Sequence, residues 1–313
     1  MRPLALLAVA LVLGCSSSPG ASSREAQAGA NAGDSGATTD AAAAADVASS
    51  DVAVMPDVVS ASDAATSDVV SASDAASSDA APAVVTCTPP SASPIPSTIT
   101  QALVVTTPSW TDFTGTMTQF ERSANGPWTA AASPIAVTVG NTGLGWGRGL
   151  HGQLAPPGCD GPTKAEGDGR SPAGVFTLGS VYGDTQGAGS FSYTLITPSL
   201  RCPDDPASNY YNEIVDENLV TPDWNSAEVM LRPDGLYHWV VFVNHNSDPR
   251  TPGGGSCIFI HVWGGPTSPT VGCTSLDGTA LQTVLGWLQP QQAVQIVLPQ
   301  PVYATVRDMW HLP

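Results

Sequence analysis

A cysteine and a histidine twelve residues apart are the residues of this sequence best suited to chemistry. His261 lies in the apolar run Ile260-His261-Val262-Trp263, and Cys273 follows Gly272 at the end of a loop rich in Gly, Pro, Ser and Thr. A thiolate is a nucleophile, and a positioned histidine can take the thiol proton and return it to a leaving amine. The N–H groups of Gly272 and Cys273 are expected to face the developing oxyanion. By spacing alone, a buried cysteine beside a hydrogen-bonded core histidine explains the pattern more often.

The elements that position this pair follow from local composition. Residues 257–263 predict a strand, because β-branched and aromatic residues dominate a short run bounded by glycine. Residues 275–288 predict a helix, with Ser275 as its N-cap and leucines spaced along one face. Cys273 would then precede a helix N-terminus, whose partial positive charge lowers the pKa of a thiol.

Two blocks of sequence about ninety residues apart carry motifs. The first is Thr270-Val271-Gly272-Cys273, downstream of Ile260-His261-Val262-Trp263. The second is Lys164-Ala165-Glu166-Gly167-Asp168-Gly169-Arg170-Ser171-Pro172-Ala173-Gly174-Val175-Phe176. The second block precedes the first along the chain, and in that chain order the two resemble the L,D-transpeptidase catalytic domain of the YkuD type, with its Gly-Asp-Gly-x-(Ser/Thr)-Pro-x-Gly-x-Phe segment and its His, loop and Ser/Thr-x-Gly-Cys signature. The resemblance extends over about residues 100–300.

The resemblance implies a reaction and a substrate class. Cys273 is the nucleophile, His261 is the base, and the substrate is a peptidoglycan stem peptide cut between an L-centre and a D-residue. The acyl group passes to an amine, which forms a crosslink in cell wall biogenesis and maintains cell shape. We expect no cofactor, no metal and a monomer. The common family pattern continues after the cysteine with Ile or Val and then Arg, whereas Thr274 and Ser275 follow here, which leaves the substrate choice open.

Four more residues are candidates for lining a substrate cleft. Trp263 follows the base, Thr270 opens the cysteine motif, Asp168 lies in the Gly-Asp-Gly turn, and His245 ends a predicted strand. Core packing is the alternative for Trp263, and a structural or surface role is the alternative for His245. The Gly-Asp-Gly turn is not followed by Gly-Lys-Ser/Thr, which excludes a nucleotide-binding loop of that type.

The N-terminus predicts an export signal. Arg2 precedes the apolar run 3–13, which is too short for a spanning helix. Val12-Leu13-Gly14-Cys15 resembles a bacterial lipoprotein cleavage box, so Cys15 is expected to carry lipid and anchor the protein to a membrane. By resemblance to the sorting of bacterial lipoproteins, Ser16 after this site is compatible with delivery to the outer membrane of the cell envelope, facing the periplasm. The alternative is an ordinary secretory signal with an incidental cysteine.

Residues 16–85 predict a disordered linker. Ala, Ser and Asp dominate, and Asp57–Ser67 recurs almost unchanged as Asp68–Ser78. An eleven-residue period fits a right-handed helical coil, but large apolar residues are almost missing, so burial cannot offset the chain entropy. Seventy flexible residues reach roughly 45–50 Å on average, which suits a tethered enzyme that works on a nearby polymer.

Residues 86–313 predict one mostly β domain with one or two short helices. Gly and Pro are frequent, and the apolar runs are short. The resemblance implies a β-sandwich with the cysteine and histidine in a cleft at one edge. The candidate strands are Gln101–Thr106, Gly115–Arg122, Ile135–Val139, Gly174–Leu178, Tyr193–Thr197, Tyr237–Asn244, Cys257–Trp263 and Ala293–Leu298.

The charge of this region excludes some partners. From Cys87 onward there are 17 Asp or Glu against 8 Lys or Arg, a net charge of −9. An acidic surface disfavours nucleic acids and anionic membrane surfaces. It suits a substrate with ammonium groups, although a solvated acidic surface is the simpler explanation.

Six cysteines require an assignment. With Cys15 assigned to lipid and Cys273 to chemistry, four remain, and an exported chain meets an oxidising compartment. Three pairings are open, and we favour Cys202–Cys257 with Cys87–Cys159. Zinc is the rival interpretation, but no Cys-x-x-Cys or His-x-x-x-His pair supports it.

Three functions follow from this sequence. The first is a transpeptidase with a cysteine nucleophile. The second is an L,D-carboxypeptidase or amidase on the same scaffold, in which water accepts the acyl group. The third is a wall-binding lipoprotein without activity, which would need neither Cys273 nor His261.

Overall fold

The computed structural model describes Cys87, residues 92–124 and residues 126–313. The predicted signal peptide (1–15), the lipidation site Cys15 and the linker (16–85) lie outside the described residues. Their assignments, and the domain boundary at residue 86, stay predictions.

Strands dominate the described part of the chain, and the predicted mostly β class is confirmed. The first seven strands are β1 (Gln101–Thr107), β2 (Thr114–Glu121), β3 (Thr129–Ala130), β4 (Ile135–Thr138), β5 (Leu144–Trp146), β6 (Ser171–Gly183) and β7 (Thr194–Leu195). The next seven are β8 (Leu200–Pro203), β9 (Val215–Asp216), β10 (Ala227–Val229), β11 (Trp239–Val243), β12 (Phe259–Val262), β13 (Thr274–Leu276) and β14 (Ala293–Pro299). The helices are α1 (Gly278–Trp287), α2 (Gln300–Trp310) and a 3-10 turn at Pro290–Gln292. Neither α1 nor α2 is long and apolar enough to span a bilayer.

One curved sheet organises the domain. Its strands follow the order β1-β14-β6-β11-β12-β13-β4-β2-β3, with β5 and β7 added on β6. Because β1 also pairs with β2, the sheet closes on itself. A separate sheet, β10-β8-β9, lies within residues 196–238, which we call the cover segment.

The main core lies against β1 and β14, the first and last strands of the chain. β1 and β14 are parallel and almost completely buried along their lengths. A strand covered on both faces reads as a continuous apolar run rather than an alternation, as these two do. The helices contribute the buried residues Leu281, Val284, Leu285, Val302, Val306 and Trp310.

The helix after the cysteine motif begins later than the sequence predicts. Its N-cap is Asp277, whose carboxylate accepts from the amides of Thr279 (2.9 Å) and Ala280 (3.1 Å). Ser275 belongs to β13 instead, and its hydroxyl bonds that of Thr138 (2.7 Å). The prediction of Ser275 as N-cap is therefore wrong, because a carboxylate two residues later takes that role.

A second apolar cluster lies between the cover segment and the sheet. The cover segment contributes Ile196, Cys202, Met230 and Tyr237, and the residues from the sheet side are Val240, Cys257, Phe259 and Cys273. The candidate nucleophile thus belongs to this cluster rather than to the main core.

Candidate active site

The loop that carries Cys273 is fixed from two sides. The Thr270 hydroxyl donates to the Cys273 carbonyl oxygen (2.7 Å) and accepts from the Gly272 amide (3.1 Å). The Ser171 hydroxyl donates to the same carbonyl oxygen (2.9 Å) and accepts from the Gly140 amide (2.9 Å). Ser171 belongs to the second sequence block, so the two blocks meet directly behind the candidate nucleophile.

Two glycines of these blocks are required by the backbone geometry. Gly272 has φ of +156°, and a Cβ there would lie 3.2 Å from the Arg170 carbonyl oxygen. Gly174 has φ of +136°, and a Cβ there would approach the His151 ring to 2.0 Å. Only glycine meets both conditions without strain.

The Cys273 thiol is buried against β12. Its sulfur accepts a hydrogen bond from the Phe259 amide (3.3 Å), and only 6% of the residue is exposed. Burial, assisted by the Glu228 carboxylate, raises the pKa of the thiol to about 12, whereas the Phe259 amide opposes the shift. The thiol is therefore protonated at neutral pH in this conformation.

The expected activation of this thiol by a helix N-terminus is wrong. The three residues of β13 lie between Cys273 and α1, which begins only at Gly278. A helix dipole acts mainly within its first turn, and the pKa of the thiol is raised rather than lowered.

His261 is a buried, neutral imidazole. Its Nδ1 lies 2.7 Å from the Val262 carbonyl oxygen, and only 6% of the residue is exposed. Because a carbonyl only accepts, Nδ1 carries the hydrogen and Nε2 keeps the lone pair that can take a proton. Burial lowers the pKa of His261 to about 4, against the backbone groups of Val262 and Leu236. Its protonation state is thus that of a general base.

Strand register places His261 and Cys273 on one face of the sheet. β12 and β13 are parallel, with Ile260 opposite Thr274 and His261 opposite Ser275. Since side chains alternate along a strand, Cys273 and His261 share a face and are offset by two positions. No hydrogen bond joins their side chains in the described part of the chain, so proton transfer requires a rearrangement when substrate binds.

Cys273 lies at the wall of a cleft of about 420 Å³, whose lining does not include His261. The charged residues of the lining are Lys164, Glu166, Asp168, Asp204 and Glu228. Four carboxylates therefore accompany one ammonium group beside the thiol. A larger groove of about 710 Å³, beside Trp128 and His311, includes neither Cys273 nor His261.

Asp168 lines this cleft but holds the turn of the second block. One carboxylate oxygen accepts from Lys164 Nζ (2.6 Å) and from the Arg170 amide (2.9 Å), and the other accepts from the Ala165 amide (2.8 Å). The Lys164 side chain is 3% exposed, so its charge is balanced within the protein. Asp168 thus shapes the cleft wall and has little capacity left for a ligand.

Two other candidates do not line the cleft, contrary to expectation. His245 is completely buried, its Nδ1 accepts from the Arg148 amide (3.2 Å), and its Nε2 lies 3.0 Å from the Gly254 carbonyl oxygen. Burial lowers its pKa to about 3. Trp263 is half-buried and is not among the lining residues. His245 therefore belongs to the framework rather than to the cleft, as does Thr270, whose hydroxyl holds the cysteine loop.

The two amides expected to face an oxyanion differ. The Gly272 amide already donates to Thr270. The Cys273 amide has no hydrogen-bond acceptor among the residues that the structure describes. Of the expected pair, only the Cys273 amide is thus available to a developing oxyanion.

Sequence reasoning missed three residues around this pair. The Tyr237 ring lies 5.2 Å from the His261 ring in an edge contact, and its hydroxyl donates to Glu228 (3.3 Å). The Arg232 guanidinium lies 5.0 Å from the centroid of the Tyr237 ring. None of the three belongs to a motif, and only the folding of the cover segment brings them here.

Disulfide bonds join Cys202 to Cys257 and Cys87 to Cys159, which is the favoured pairing. The first of these ties the cover segment to the chain just before β12, the strand of His261. Cys257 lies outside β12, although the predicted strand includes it, and it has φ of +53° with its amide donating to Asn212 (2.9 Å). Cys273 is the free cysteine of the described residues.

Comparison with known proteins agrees with the two sequence blocks. The profile of the L,D-transpeptidase catalytic domain (YkuD) matches residues 128–296, which include Lys164, His261 and Cys273. No curated protein sequence matches significantly. The solved structure of the helical cell shape determining protein Pgp2 from Campylobacter jejuni is similar with a TM-score of 0.30 and 13% identity, over 64% of this chain and 48% of that chain. The chain thus spans about half the length of that protein. Because the profile covers more than half of the sequence, this chain belongs to the L,D-transpeptidase catalytic domain family.

Proposed function

We propose that this protein is a cysteine-dependent acyltransferase, an L,D-transpeptidase that acts on peptidoglycan stem peptides. The observation that carries the proposal is the meeting of both family blocks at one thiol. Ser171 of the second block donates a hydrogen bond to the carbonyl oxygen of Cys273. The neutral imidazole of His261 lies on the same face of the sheet as the Cys273 side chain. Membership of the family supports the substrate class.

The reaction begins at the Cys273 sulfur. As the sulfur bonds to the carbonyl carbon of the scissile peptide, His261 Nε2 takes the thiol proton after the two side chains have approached each other. The negative charge moves to the carbonyl oxygen, towards the Cys273 amide. Collapse of this intermediate breaks the C–N bond, the leaving amine receives the proton from His261, and a thioester remains on Cys273.

The second half of the reaction regenerates the enzyme. An acceptor amine attacks the thioester carbonyl, His261 takes the proton of that amine, and the thiolate leaves and is reprotonated. Water in place of the amine gives hydrolysis, so both outcomes share the same acyl-enzyme. Exclusion of water and orientation of the amine decide between the two.

The charges of the cleft favour a substrate with ammonium groups. Glu166, Asp204 and Glu228 accompany the Lys164–Asp168 ion pair at the cleft wall. At the position where the family commonly has Arg, Ser275 is buried and bonded to Thr138. No arginine at that position can bind a substrate carboxylate, so we expect recognition to depend on amino groups.

The proposed setting is the cell envelope. We propose that Cys15 carries lipid and that residues 16–85 tether the catalytic domain to the outer membrane, facing the periplasm. The reach of this seventy-residue linker, roughly 45–50 Å on average, would place the cleft near wall peptides. The test is globomycin treatment of producing cells, which should leave the signal peptide attached, together with Cys15→Ala, which should release the protein from the membrane fraction.

Product analysis tests the reaction itself. Full-length protein in detergent is incubated with purified tetrapeptide muropeptides and a D-amino acid, and the products are identified by mass spectrometry beside Cys273→Ala and Cys273→Ser. Dimers or exchange of the terminal D-amino acid, made by wild type alone, support the transpeptidase. Shortened peptides without transfer would identify a hydrolase. Equal inertness of all three proteins would contradict an enzymatic role and favour a wall-binding protein.

A further inference from the structure

The base of this site has an aromatic neighbour that no motif predicts. Tyr237 belongs to the cover segment, and its ring lies 5.2 Å from that of His261 and 5.5 Å from that of Phe259. Phe259 is the residue whose amide donates to the Cys273 sulfur. One buried ring thus touches the base and the residue that holds the nucleophile.

The position of this ring is itself fixed from the cleft side. The Tyr237 hydroxyl donates to the Glu228 carboxylate (3.3 Å), and the Arg232 guanidinium lies over the ring at 5.0 Å. Arg232 in turn donates twice to Asp234, from Nε (3.1 Å) and Nη2 (2.6 Å). A tyrosine held at its hydroxyl and over its face has little freedom to rotate.

The backbone around Tyr237 adds a second connection to the base. The Leu236 carbonyl oxygen accepts from the amide of Val262 (3.1 Å), the residue whose own carbonyl bonds His261 Nδ1. The Cys202–Cys257 disulfide anchors the same cover segment just before β12. The cover segment is therefore attached to the strand of His261 by covalent, hydrogen-bonded and aromatic contacts.

We propose that Tyr237 is a positioning residue for His261: its ring keeps the imidazole dry and aims Nε2 towards the Cys273 sulfur. The proposal rests on the proposed function, since it assigns a role to the base of that reaction. Tyr237 acts through its ring, and its hydroxyl serves to hold the ring in place. A 1 Å displacement of a catalytic group costs on the order of 10²-fold in rate, so the effect is measurable.

The ionisable groups around the imidazole come mainly from the cover segment. They are Arg232, Asp234 and Tyr237, with Cys273 on the sheet and Glu228 at the cleft wall. The neighbouring elements β11, β13 and α1 contain no ionisable side chain. Loss of the Tyr237 ring should therefore act on His261 chiefly through hydration.

The test compares Tyr237→Leu, Tyr237→Phe and Phe242→Leu in the full-length chain. Phe242 is a matched control, because its ring packs on Phe259 (5.9 Å) from the same face, and no aromatic contact joins it to His261 within the described residues. Turnover of muropeptides gives kcat and KM, and NMR of labelled histidine gives the titration of His261. Thermal unfolding checks that each variant is folded, and Tyr237→Met replaces the leucine variant if that one is not.

The expected result separates the ring from the hydroxyl. Tyr237→Leu lowers kcat by about 10²-fold with KM within about threefold, and the pKa of His261 rises from about 4 towards its usual value. Tyr237→Phe and Phe242→Leu keep kcat within about threefold. A folded leucine or methionine variant with wild-type kcat and titration would overturn the proposal. So would Tyr237→Phe losing as much activity as Tyr237→Leu, since the hydroxyl would then act chemically.

The assignment of His261 as the base and the assignment of Tyr237 as its positioning residue can fail separately. If His261→Ala retains turnover while Tyr237→Leu still shifts the His261 titration, the proposed base is wrong and the positioning contact stands. If His261→Ala abolishes turnover and Tyr237→Leu changes neither kcat nor the titration, the base stands and the positioning role is wrong.

Discussion

Two buried histidines in this protein have similarly lowered pKa values but differ in the hydrogen bonds of their ring nitrogens. His245 is 0% exposed and His261 is 6% exposed, and burial lowers the pKa of each, to about 3 and about 4. Both ring nitrogens of His245 have partners, in the Arg148 amide and the Gly254 carbonyl. His261 Nδ1 donates to the Val262 carbonyl, the Leu236 backbone also raises the pKa of the ring, and no donor within the described part of the chain bonds the lone pair of Nε2.

The difference shows that burial and a shifted pKa do not by themselves identify a catalytic histidine. Buried polar groups are normally hydrogen-bonded, and a fully bonded imidazole contributes to the framework. An imidazole whose lone pair accepts no hydrogen bond, on the same sheet face as a free thiol, has the capacity to move a proton. Substitutions should therefore affect activity at His261 and stability at His245.

The largest effect is expected for His261→Gln. Loss of the base should lower kcat by about 10²- to 10⁴-fold, because the thiol, with its raised pKa, then has no proton acceptor. The midpoint of urea unfolding should change little. Turnover of muropeptides and urea denaturation measure the two quantities, and a variant that keeps kcat would remove His261 from the mechanism.

His245→Gln should show the reverse pattern. The substitution leaves the Arg148 amide or the Gly254 carbonyl without a partner in a fully buried place, which costs about 1–3 kcal/mol per group. We expect the free energy of unfolding to fall by about 2–4 kcal/mol. The kcat of the folded fraction should stay within about threefold of wild type. A decrease in kcat as large as that of His261→Gln would contradict the assignment of His245 to the framework.

Acid should destabilise the protein through three histidines, because burial lowers the pKa of His151 to about 4 as well. In the unfolded chain each binds a proton below pH of about 6.5, whereas in the folded chain each stays neutral down to about 3 or 4. The stability contributed by the neutral rings is complete above pH of about 6.5 and declines as the pH falls through that value. With three extra protons bound in the unfolded state, the slope near pH 5 approaches about 4.1 kcal/mol per pH unit.

Removing one histidine sharpens this prediction. His245→Gln should reduce the slope by about one third, to about 2.7 kcal/mol per pH unit. Urea denaturation at four pH values between 4.5 and 7 measures it for wild type and variant. An unchanged slope would mean that His245 is protonated in the folded protein.

The smallest effect is expected at Ser171, which links the sheet to the cysteine loop. Ser171→Ala removes the hydroxyl that bridges the Gly140 amide and the Cys273 carbonyl. We expect a loss of about 1–3 kcal/mol in stability and a decrease of about tenfold in kcat, because the cysteine loop loosens. Parallel unfolding and turnover assays check both, and Ser171→Thr, which keeps a hydroxyl, should recover part of each.

The class of the fold and the pair at its centre were predictable, because local patterns carry them. The candidate strands at 101–106, 135–139 and 293–298 each lie within one residue of an observed strand. By contrast, β13 is three residues long and forms because it pairs with β12 and β4. A short strand fixed by its partners has no signature of its own, so the helix after Cys273 was predicted too early.

The surroundings of the pair were less predictable. His245 looked like a loop residue because it ends a strand, but the Gly254 turn and the Arg148 amide close around it. Tyr237, Glu228 and Arg232 reach the site only through the fold of the cover segment. Contacts between distant parts of the chain leave no periodicity in the sequence, and in this site they determine which residues touch the base.

Intact-protein mass spectrometry during turnover most directly tests the assignment of Cys273 as the nucleophile. Full-length protein is mixed with a tetrapeptide muropeptide, quenched in acid within seconds, and digested to locate any adduct. We predict a thioester on Cys273 whose mass equals that of the donor less its leaving amino acid, which is absent from Cys273→Ala and accumulates in the absence of an acceptor amine. Product formation by Cys273→Ala, or an adduct on another residue, would contradict the assignment.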